Sequence, residues 1–339
     1  NTCCFIHDAK QESIDTILEM AEHKKDGKCK ALIVSGCLAH RYHDEIEKEI
    51  PEVDALLGTA SYDKIAEVVL SVLEGKGYSC IDDADRLVMT KDERIITTGG
   101  YYEYLKIAEG CDKHCTYCII PKVRGNYRSY PMEYLVKQAE QLAEKGVKEL
   151  ILVAQETTVY GVDIYGKKML AELVKKLAAI KDIAWIRILY CYPEEIDDAL
   201  IEVIKNEPKV CHYLDMPIQH ASDSILKKMG RRTTKQELKD VINKLRENIP
   251  DIALRTTLIT GFPGETQKDH EEMLDFVDEM EFDRLGVFTY SPEEDTPAAV
   301  MPDQIDEEVK EQRRDAVMEL QQEVSLDKSE EMVGKVIDC

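Results

Sequence analysis

The sequence predicts an α/β protein in which a partial (β/α)6 barrel follows a smaller α/β domain. Two observations lead to this prediction. From residue 101 onward, short apolar segments alternate with amphipathic helical patterns, which is typical of a parallel sheet. Before that, residues 79–100 are polar, lack a clear period and end in Gly99 and Gly100, as an interdomain linker does. At 339 residues the chain is also long enough for two domains.

The first domain is predicted over residues 1–88 and the linker over 89–100. Two short apolar runs predict strands, and two charged segments with helical spacing predict helices. The strands are predicted at residues 31–34 and 53–57, and the helices at 42–49 and 61–73. Pro51 and Gly75 follow these helices as expected of residues that end them.

The barrel is predicted over residues 101–325, with its chemistry at the carboxyl ends of the strands. Its strands are predicted at residues 104–108, 149–154, 185–190, 213–217, 254–260 and 285–290. Helices are predicted between them at residues 132–145, 225–229, 234–248 and 266–280. Beyond the barrel, residues 306–330 form a charged helical pattern, and residues 333–337 predict the first strand of a further domain over 326–339. Because the sequence opens without Met, we expect a piece of a longer protein.

The charge and apolar pattern limit the class of protein. The net charge is −23, from 67 acidic and 44 basic residues. This charge disfavours a nucleic-acid partner and suits a basic one, although plain solubility explains it equally well. No apolar run approaches the roughly 18–20 residues of a membrane span, and the sequence does not open with a secretory signal. We therefore expect a cytoplasmic protein.

The chain has 11 cysteines, an odd number that favours metal or cluster binding over a disulfide framework. Cys111, Cys115 and Cys118 have the spacing C-x3-C-x2-C and directly follow the first predicted barrel strand. Three thiolates can each bind one iron of a 4Fe-4S cluster, which leaves the fourth iron open. The alternatives are a zinc site or a ferredoxin-type electron carrier, but each needs a fourth ligand.

The triplet, with Tyr117 just before its last cysteine, resembles the signature of the radical S-adenosylmethionine (SAM) superfamily. Four further segments make the chain similar to the methylthiotransferase family within it: residues 153–161, 189–193, 215–223 and 255–266. The motifs Gln-Glu-Thr-Thr-x-Tyr-Gly and Tyr-Cys-Tyr-Pro in the first two segments resemble the branch known as RimO. The likeness extends over nearly the whole chain.

This resemblance implies a specific reaction. The open iron would bind SAM, and reductive cleavage would yield a 5′-deoxyadenosyl radical that takes hydrogen from the β-carbon of an aspartate in a small-subunit ribosomal protein. A second SAM would methylate the sulfur that is transferred, and a reductase or flavodoxin would supply electrons. The sequence does not identify the sulfur donor. Two alternatives stay open: a tRNA adenosine methylthiotransferase, and a protein that only passes electrons.

The resemblance also indicates residues that contact the cofactor: Tyr117, Gln155, Glu156, Arg255 and Gly261. Each of the last four has a purely structural alternative. Glu156 could cap a turn, Arg255 could form a linking ion pair, and Gly261 could belong to a strand-to-helix turn before Thr266 as N-cap. His220, near the end of a predicted strand, is more readily explained as structural.

A second 4Fe-4S cluster is implied by Cys3 and Cys37, which match two cysteine ligands of the family's N-terminal domain. The family's third ligand lies upstream of the first residue of this sequence. Cys4 is a poor substitute, since adjacent residues of an extended chain point in different directions. The strand predicted at residues 333–337 matches the start of the family's C-terminal β-barrel, called TRAM.

Overall fold

The computed structural model describes residues 1–90 and 94–336. Of these, residues 1–90, 109–128 and 291–299 form a first compact unit, and residues 94–108, 129–290 and 300–336 form a second. The first unit is therefore discontinuous along the chain. Within it, the backbone N–H of His7 donates a hydrogen bond to Glu293 (2.7 Å), 286 residues away. Residues 91–93 of the predicted linker lie outside the described part, and the predicted domain boundaries stay a prediction.

The N-terminal stretch of the first unit is a small α/β structure around two parallel strands. Its elements are α1 (His7–Asp26), β1 (Ile33–Ser35), α2 (Cys37–Arg41), α3 (His43–Glu49), β2 (Ala55–Leu57) and α4 (Ile65–Leu73). Sequence analysis did not locate α1. The reason is its composition: only Ile17 and Ala21 of its 20 residues are buried, so it has little apolar periodicity.

The remaining elements confirm the predicted alternation of strands and helices. The strands are β3 (Tyr102–Lys106), β4 (Ala108–Glu109), β5 (Arg128–Ser129), β6 (Glu149–Val153), β7 (Trp185–Ile188), β8 (Val210–Asp215), β9 (Ala253–Thr260) and β10 (Arg284–Thr289). The helices are α5 (Ile120–Arg124), α6 (Met132–Glu144), α7 (Val162–Tyr165), α8 (Leu170–Ala178), α9 (Asp198–Asn206), α10 (Asp223–Lys228), α11 (Lys235–Asn248), α12 (Gln267–Met280) and α13 (Glu307–Glu331).

The second unit is built on a six-stranded parallel sheet with the strand order β3-β6-β7-β8-β9-β10. Neighbours in the sheet follow one another in the chain, with helices between most of them, which is the arrangement of a partial (β/α)6 barrel. The fold class predicted from sequence is confirmed. On β9, Leu254, Thr256, Leu258 and Thr260 are buried while the residues between them are partly exposed. Buried Thr256 satisfies its hydroxyl by donating to the Met216 carbonyl (2.9 Å).

Capping side chains fix where three helices of the second unit, α9, α11 and α12, begin. Thr266 is the N-cap of α12, as expected, and forms a reciprocal capping box with Asp269. The Asp269 carboxylate also accepts hydrogen bonds from the hydroxyls of Ser222 (2.5 Å) and Ser224 (2.7 Å). Although burial raises the pKa of Asp269, the hydrogen bonds from Ser222, Thr266 and Ser224 outweigh it, and the net pKa lies well below the usual value.

We expect Asp269→Asn to lower the free energy of unfolding by about 1–2 kcal/mol near pH 7. A lowered folded-state pKa stabilises the protein above the unfolded-state pKa of about 4, and this contribution is lost as the pH falls through the folded value. Urea unfolding at pH 7 and pH 3 measures the effect, which should be smaller at pH 3. Asp275→Asn, at an exposed position of the same helix, is the control. An equal loss in both variants would contradict the prediction.

The strand predicted at residues 333–337 is not found in the described residues of that segment. Residues 333–336 are turn and coil rather than a strand: the backbone N–H of Val333 donates to Glu330 (3.1 Å), and that of Lys335 donates to Met332 (3.0 Å). Val333 and Val336 are exposed, because a short apolar run becomes a strand only where another strand pairs with it. Ile337 and Cys339 lie outside the described residues. The 25-residue α13 is highly charged, and no described helix is long and apolar enough to cross a membrane.

Candidate functional site

The cysteine triplet lies in the first unit, in the loop between β4 and α5. Its backbone is held at both ends: the N–H of Cys111 donates to Gly125 (3.2 Å), and the N–H of Cys118 donates to Cys115 (3.0 Å). Two residues that follow the triplet, Ile119 and Val123, are buried in the apolar core of the first unit. The loop is therefore held against the apolar core of the first unit.

The structure brings the three thiols of the triplet together. Cys111 and Cys115 are buried and Cys118 is half-buried. Burial, with smaller contributions from the negative charges of Cys115 and Cys111, raises the pKa of Cys118 to about 12. Three neighbouring thiols with little solvent suit an iron–sulfur cluster, because bound iron compensates the charge of the thiolates. Tyr117 occupies the turn before Cys118.

No group of three or more His, Cys, Asp or Glu side chains in residues 1–90 and 94–336 is arranged to hold one metal ion. Tetrahedral zinc needs its ligands within about 2.3 Å of a single centre. A cubane cluster differs, since each thiolate binds a different iron and the sulfur atoms stand further apart. Ligation of a cluster by the triplet therefore stays a prediction.

The cysteine pair Cys3 and Cys37 also lies in the first unit, and backbone pairing brings its members together. The N–H of Thr2 donates to Ser35 (2.7 Å), and the N–H of Cys37 donates to Thr2 (3.1 Å). Gly36 makes this pairing possible: its φ is +104°, and a Cβ there would lie 2.5 Å from the Thr2 carbonyl oxygen. Any other residue at position 36 would push the start of the chain away from β1.

Cys3 and Cys37 line a cavity of about 460 Å³. The other lining residues are Asn1, Thr2, Ala9, Glu12, Ser13, Thr16, Ile17, Met20, Leu32, Ile33, Val34 and Arg124. Cys4 does not line it. Cys4 is 1% exposed and packs in the apolar core, as expected for the neighbour of a residue that faces the cavity. The pair thus has room for a cluster, with two thiol ligands from the described residues.

In the second unit, Gln155 and Glu156 follow β6 at its carboxyl end. The Gln155 side-chain oxygen is buried and has no hydrogen-bond partner among the described residues. Such an atom costs about 1–3 kcal/mol unless a ligand or water satisfies it, so Gln155 fits contact with a donor group such as an amine. Glu156 is fully buried and accepts hydrogen bonds from the N–H (3.0 Å) and hydroxyl of Thr158, in agreement with its structural alternative.

Arg255, on β9, forms an ion pair with a neighbouring strand, which was the structural alternative to a cofactor contact. Its guanidinium lies 2.9 Å from the carboxylate of Asp215 at the end of β8. Asp215 is almost fully buried, and burial raises its pKa although Arg255 acts in the opposite direction. Asp215 also accepts a hydrogen bond from the N–H of Tyr190 (3.2 Å). The pair joins three adjacent strands, while the Arg255 side chain stays 43% exposed and able to reach a ligand.

Gly261 follows β9 and has φ +71°. A Cβ at this position would lie 2.1 Å from the Cγ of Lys310, whose buried side chain fills the space. The Gly261 N–H donates to Glu265 (2.7 Å), and so does the N–H of Phe262 (3.1 Å). The requirement for glycine is thus explained by packing against α13. Cofactor contact at Gly261 stays a prediction.

Sequence reasoning missed a buried polar network beside Gly261. Glu265, which is fully buried, forms an ion pair with Arg313 of α13 (3.0 Å) and lies 3.6 Å from the Nε2 atom of His220. His220 accepts a hydrogen bond from the Ser222 N–H at its Nδ1 atom (2.9 Å), which agrees with a structural role. The partners are about 50 residues apart in sequence, so no local pattern could have indicated them.

The predicted site residues therefore fall into two sets. Five cysteines and Tyr117 belong to the first unit, and Gln155, Glu156, Arg255 and Gly261 belong to the second. Within the first unit the cysteines form the triplet and the pair described above. Within the second unit the four residues lie on or just after strands of the parallel sheet.

Comparison with known proteins gives two family matches. The family model described as "Radical SAM superfamily" matches residues 105–277, and the one described as "Uncharacterized protein family UPF0004" matches residues 1–58. A "Ribosomal protein uS12 methylthiotransferase RimO" from Lachnoclostridium phytofermentans is 67% identical over 335 residues, covering 99% of this chain and 76% of that protein. The protein of the same name from Clostridioides difficile is 53% identical, and the match covers 100% of this chain and 76% of that protein.

Among solved structures, the radical SAM methyltransferase TsrM from Kitasatospora setae, with cobalamin and a [4Fe-4S] cluster bound, has a TM-score of 0.62. It is 14% identical, and the match covers 83% of this chain and 61% of that one, so it supports the fold alone. The superfamily match spans half of the chain, and the two RimO proteins are similar along almost all of it. The chain therefore belongs to the RimO family of radical SAM methylthiotransferases.

Proposed function

We propose that this enzyme transfers a methylthio group to the β-carbon of an aspartate in ribosomal protein uS12. The observation that carries the proposal is the 67% identity, over 99% of the chain, to a relative named for uS12. The net charge of −23 supports it, because ribosomal proteins that bind RNA are basic. A ribosomal substrate also places the reaction in the cytoplasm.

In this proposal, Cys111, Cys115 and Cys118 hold a 4Fe-4S cluster and leave one iron open for SAM. When bound, the cluster and SAM supply the electron and the radical chemistry that an unactivated C–H bond requires. The protein holds the thiolates in a loop anchored on its core and limits the access of water to them. In the second unit, Gln155 offers an unsatisfied amide oxygen to a donor group of the cofactor.

Cys3 and Cys37 would supply two of the thiolate ligands of a second 4Fe-4S cluster in the cavity that they line. Its support is the backbone pairing that juxtaposes the two thiols and the space beside them. A flavodoxin or a reductase supplies the electrons. When bound there, this cluster would supply the site that holds the transferred sulfur.

The substrate assignment is tested with anaerobically reconstituted enzyme, SAM and a reductant. A uS12 loop peptide that contains the target aspartate should gain the mass of one methylthio group in place of one hydrogen. The same peptide with that aspartate replaced by alanine is the control and should gain nothing. If the peptide is deuterated at the aspartate β-carbon, the 5′-deoxyadenosine product should contain deuterium.

A parallel incubation with tRNA distinguishes the other methylthiotransferase reaction. A methylthio gain on tRNA alone would overturn the uS12 assignment. If SAM is not cleaved with any substrate, the chain only transfers electrons, and the enzymatic proposal fails altogether.

A further inference from the structure

Two arginines of the parallel sheet face the same side, on either side of β8. Arg187, on β7, donates a hydrogen bond to Glu149 (2.6 Å), and its guanidinium carbon lies 4.9 Å from the centre of the Tyr213 ring. Arg255, on β9, donates to Asp215 (2.9 Å). Tyr213 and Asp215 are two positions apart on β8 and therefore point to one face of the sheet. Tyr213 thus lies between the two arginines.

Both guanidiniums keep hydrogen-bond donors for a ligand. Each donates to one carboxylate oxygen in the described part of the chain, although a guanidinium has five N–H groups. The side chains of Arg187 and Arg255 are 30% and 43% exposed. Burial and the charge of Asp215 raise the pKa of Tyr213, so its hydroxyl is protonated near pH 7 and adds a donor between them.

The face of the sheet that carries these donors is open. Tyr104 on β3 and Phe288 on β10 lie on the same face by strand register, and they are 45% and 60% exposed. Two arginines side by side also stand out in a chain with a net charge of −23. Guanidinium and hydroxyl donors on adjacent strands suit a carboxylate, because its two oxygens accept hydrogen bonds from such groups in pairs.

We propose that Arg187 and Arg255, with Tyr213 between them, bind the side-chain carboxylate of the substrate aspartate. This inference rests on the proposed function. SAM also has a carboxylate, but it shares one carbon atom with the amine, a donor group that suits Gln155. Ile151, the register partner of Arg187, lies four residues before Gln155, which is about 13 Å along an extended chain. A carboxylate beside Gln155 is therefore distant from Arg187, and Arg255 contacts the substrate where the resemblance implied the cofactor.

The test is a double-mutant cycle on peptide binding. Two labelled uS12 loop peptides, with aspartate or asparagine at the target position, are titrated with reconstituted enzyme and SAM without reductant, so that no turnover occurs. Arg187→Gln should weaken binding of the aspartate peptide about tenfold or more, because a charge-assisted contact is lost. The asparagine peptide should lose little, since it has no charge for the arginine to meet.

The matched control is Arg314→Gln. It removes the same charge from α13, where Arg314 pairs with the adjacent Asp315, and should change neither affinity. Equal losses for the two peptides in Arg187→Gln would overturn the inference, because the arginine would not contact the carboxylate. Affinity for SAM, measured by equilibrium dialysis, should not change in Arg187→Gln. A tenfold loss there would assign the arginines to the carboxylate of SAM and overturn the inference as well.

Two further variants keep the inference testable if Arg187→Gln does not fold. Arg187→Lys keeps the charge but loses the paired donors, and Tyr213→Phe removes the hydroxyl. A selective loss for the aspartate peptide in neither variant would overturn the inference. If the parent enzyme modifies the peptide while no variant shows a selective loss, this inference fails and the proposed function stands. If the parent enzyme neither binds nor modifies the peptide, the proposed function fails and this inference fails with it.

Discussion

Cys111→Ala is expected to abolish the reductive cleavage of SAM to 5′-deoxyadenosine, the largest functional effect that the structure predicts. The variant leaves two thiol ligands, Cys115 and Cys118, for a cluster that needs three from the protein. The Cys111 N–H is bonded to Gly125, so the loop cannot readily shift another ligand into place. The measurements are iron per chain after anaerobic reconstitution and the amount of 5′-deoxyadenosine formed.

The matched control for this variant is Cys29→Ala. Cys29 is a half-buried thiol of the same unit that donates a hydrogen bond to the Ala31 carbonyl (3.3 Å) and has no ligand-like spacing. Its replacement should leave cleavage at the level of the parent protein. Cleavage that persists in Cys111→Ala would show that the triplet is not the site of SAM activation.

Gly261→Ala is expected to cause a large loss of stability, about 2–5 kcal/mol. A left-handed alanine costs about 1–2 kcal/mol, and overpacking against buried Lys310 adds about 1–3 kcal/mol. Lys310 cannot move aside cheaply, because its ammonium group donates to the Tyr290 carbonyl (2.9 Å) and pairs with Glu307. Urea unfolding followed by circular dichroism measures the loss.

Comparison with Gly166→Ala separates the steric part of this effect from the backbone strain. Gly166 has the same φ, +71°, but a Cβ there would meet no atom within 4 Å. Its substitution should therefore cost only the backbone strain, about 1–2 kcal/mol. If the two alanine variants lose the same free energy, the packing of Lys310 is not what requires glycine at position 261.

Sequence patterns predicted the parallel sheet well, because its strands are short apolar runs and their order in the sheet follows the chain. They failed where structure depends on a distant partner. Residues 333–336 have an apolar pattern but no pairing strand within 1–90 and 94–336, whereas α1 lacks a strong pattern and forms nonetheless. Local pattern cannot indicate either outcome, since both depend on tertiary contacts.

The residues of the candidate site also differ in whether the sequence could predict them. The triplet was predictable because its ligands are close in sequence, and the pair because the chain resembles a known family. The Gly261 contact with Lys310 joins residues far apart in the chain. The resemblance indicated that Gly261 matters, but only the structure shows that it packs against Lys310 of α13.

The three separate stretches of the first unit set the order in which it can be completed during synthesis. Residues 1–90 leave the ribosome early, but the stretch 109–128 follows later and 291–299 comes after most of the sheet has been made. At about 5–20 residues per second, this delay is roughly 10–40 s. Throughout that interval Cys3 and Cys37 are already translated while their unit is unfinished, so the fold around both thiols closes only after most of the sheet has been made.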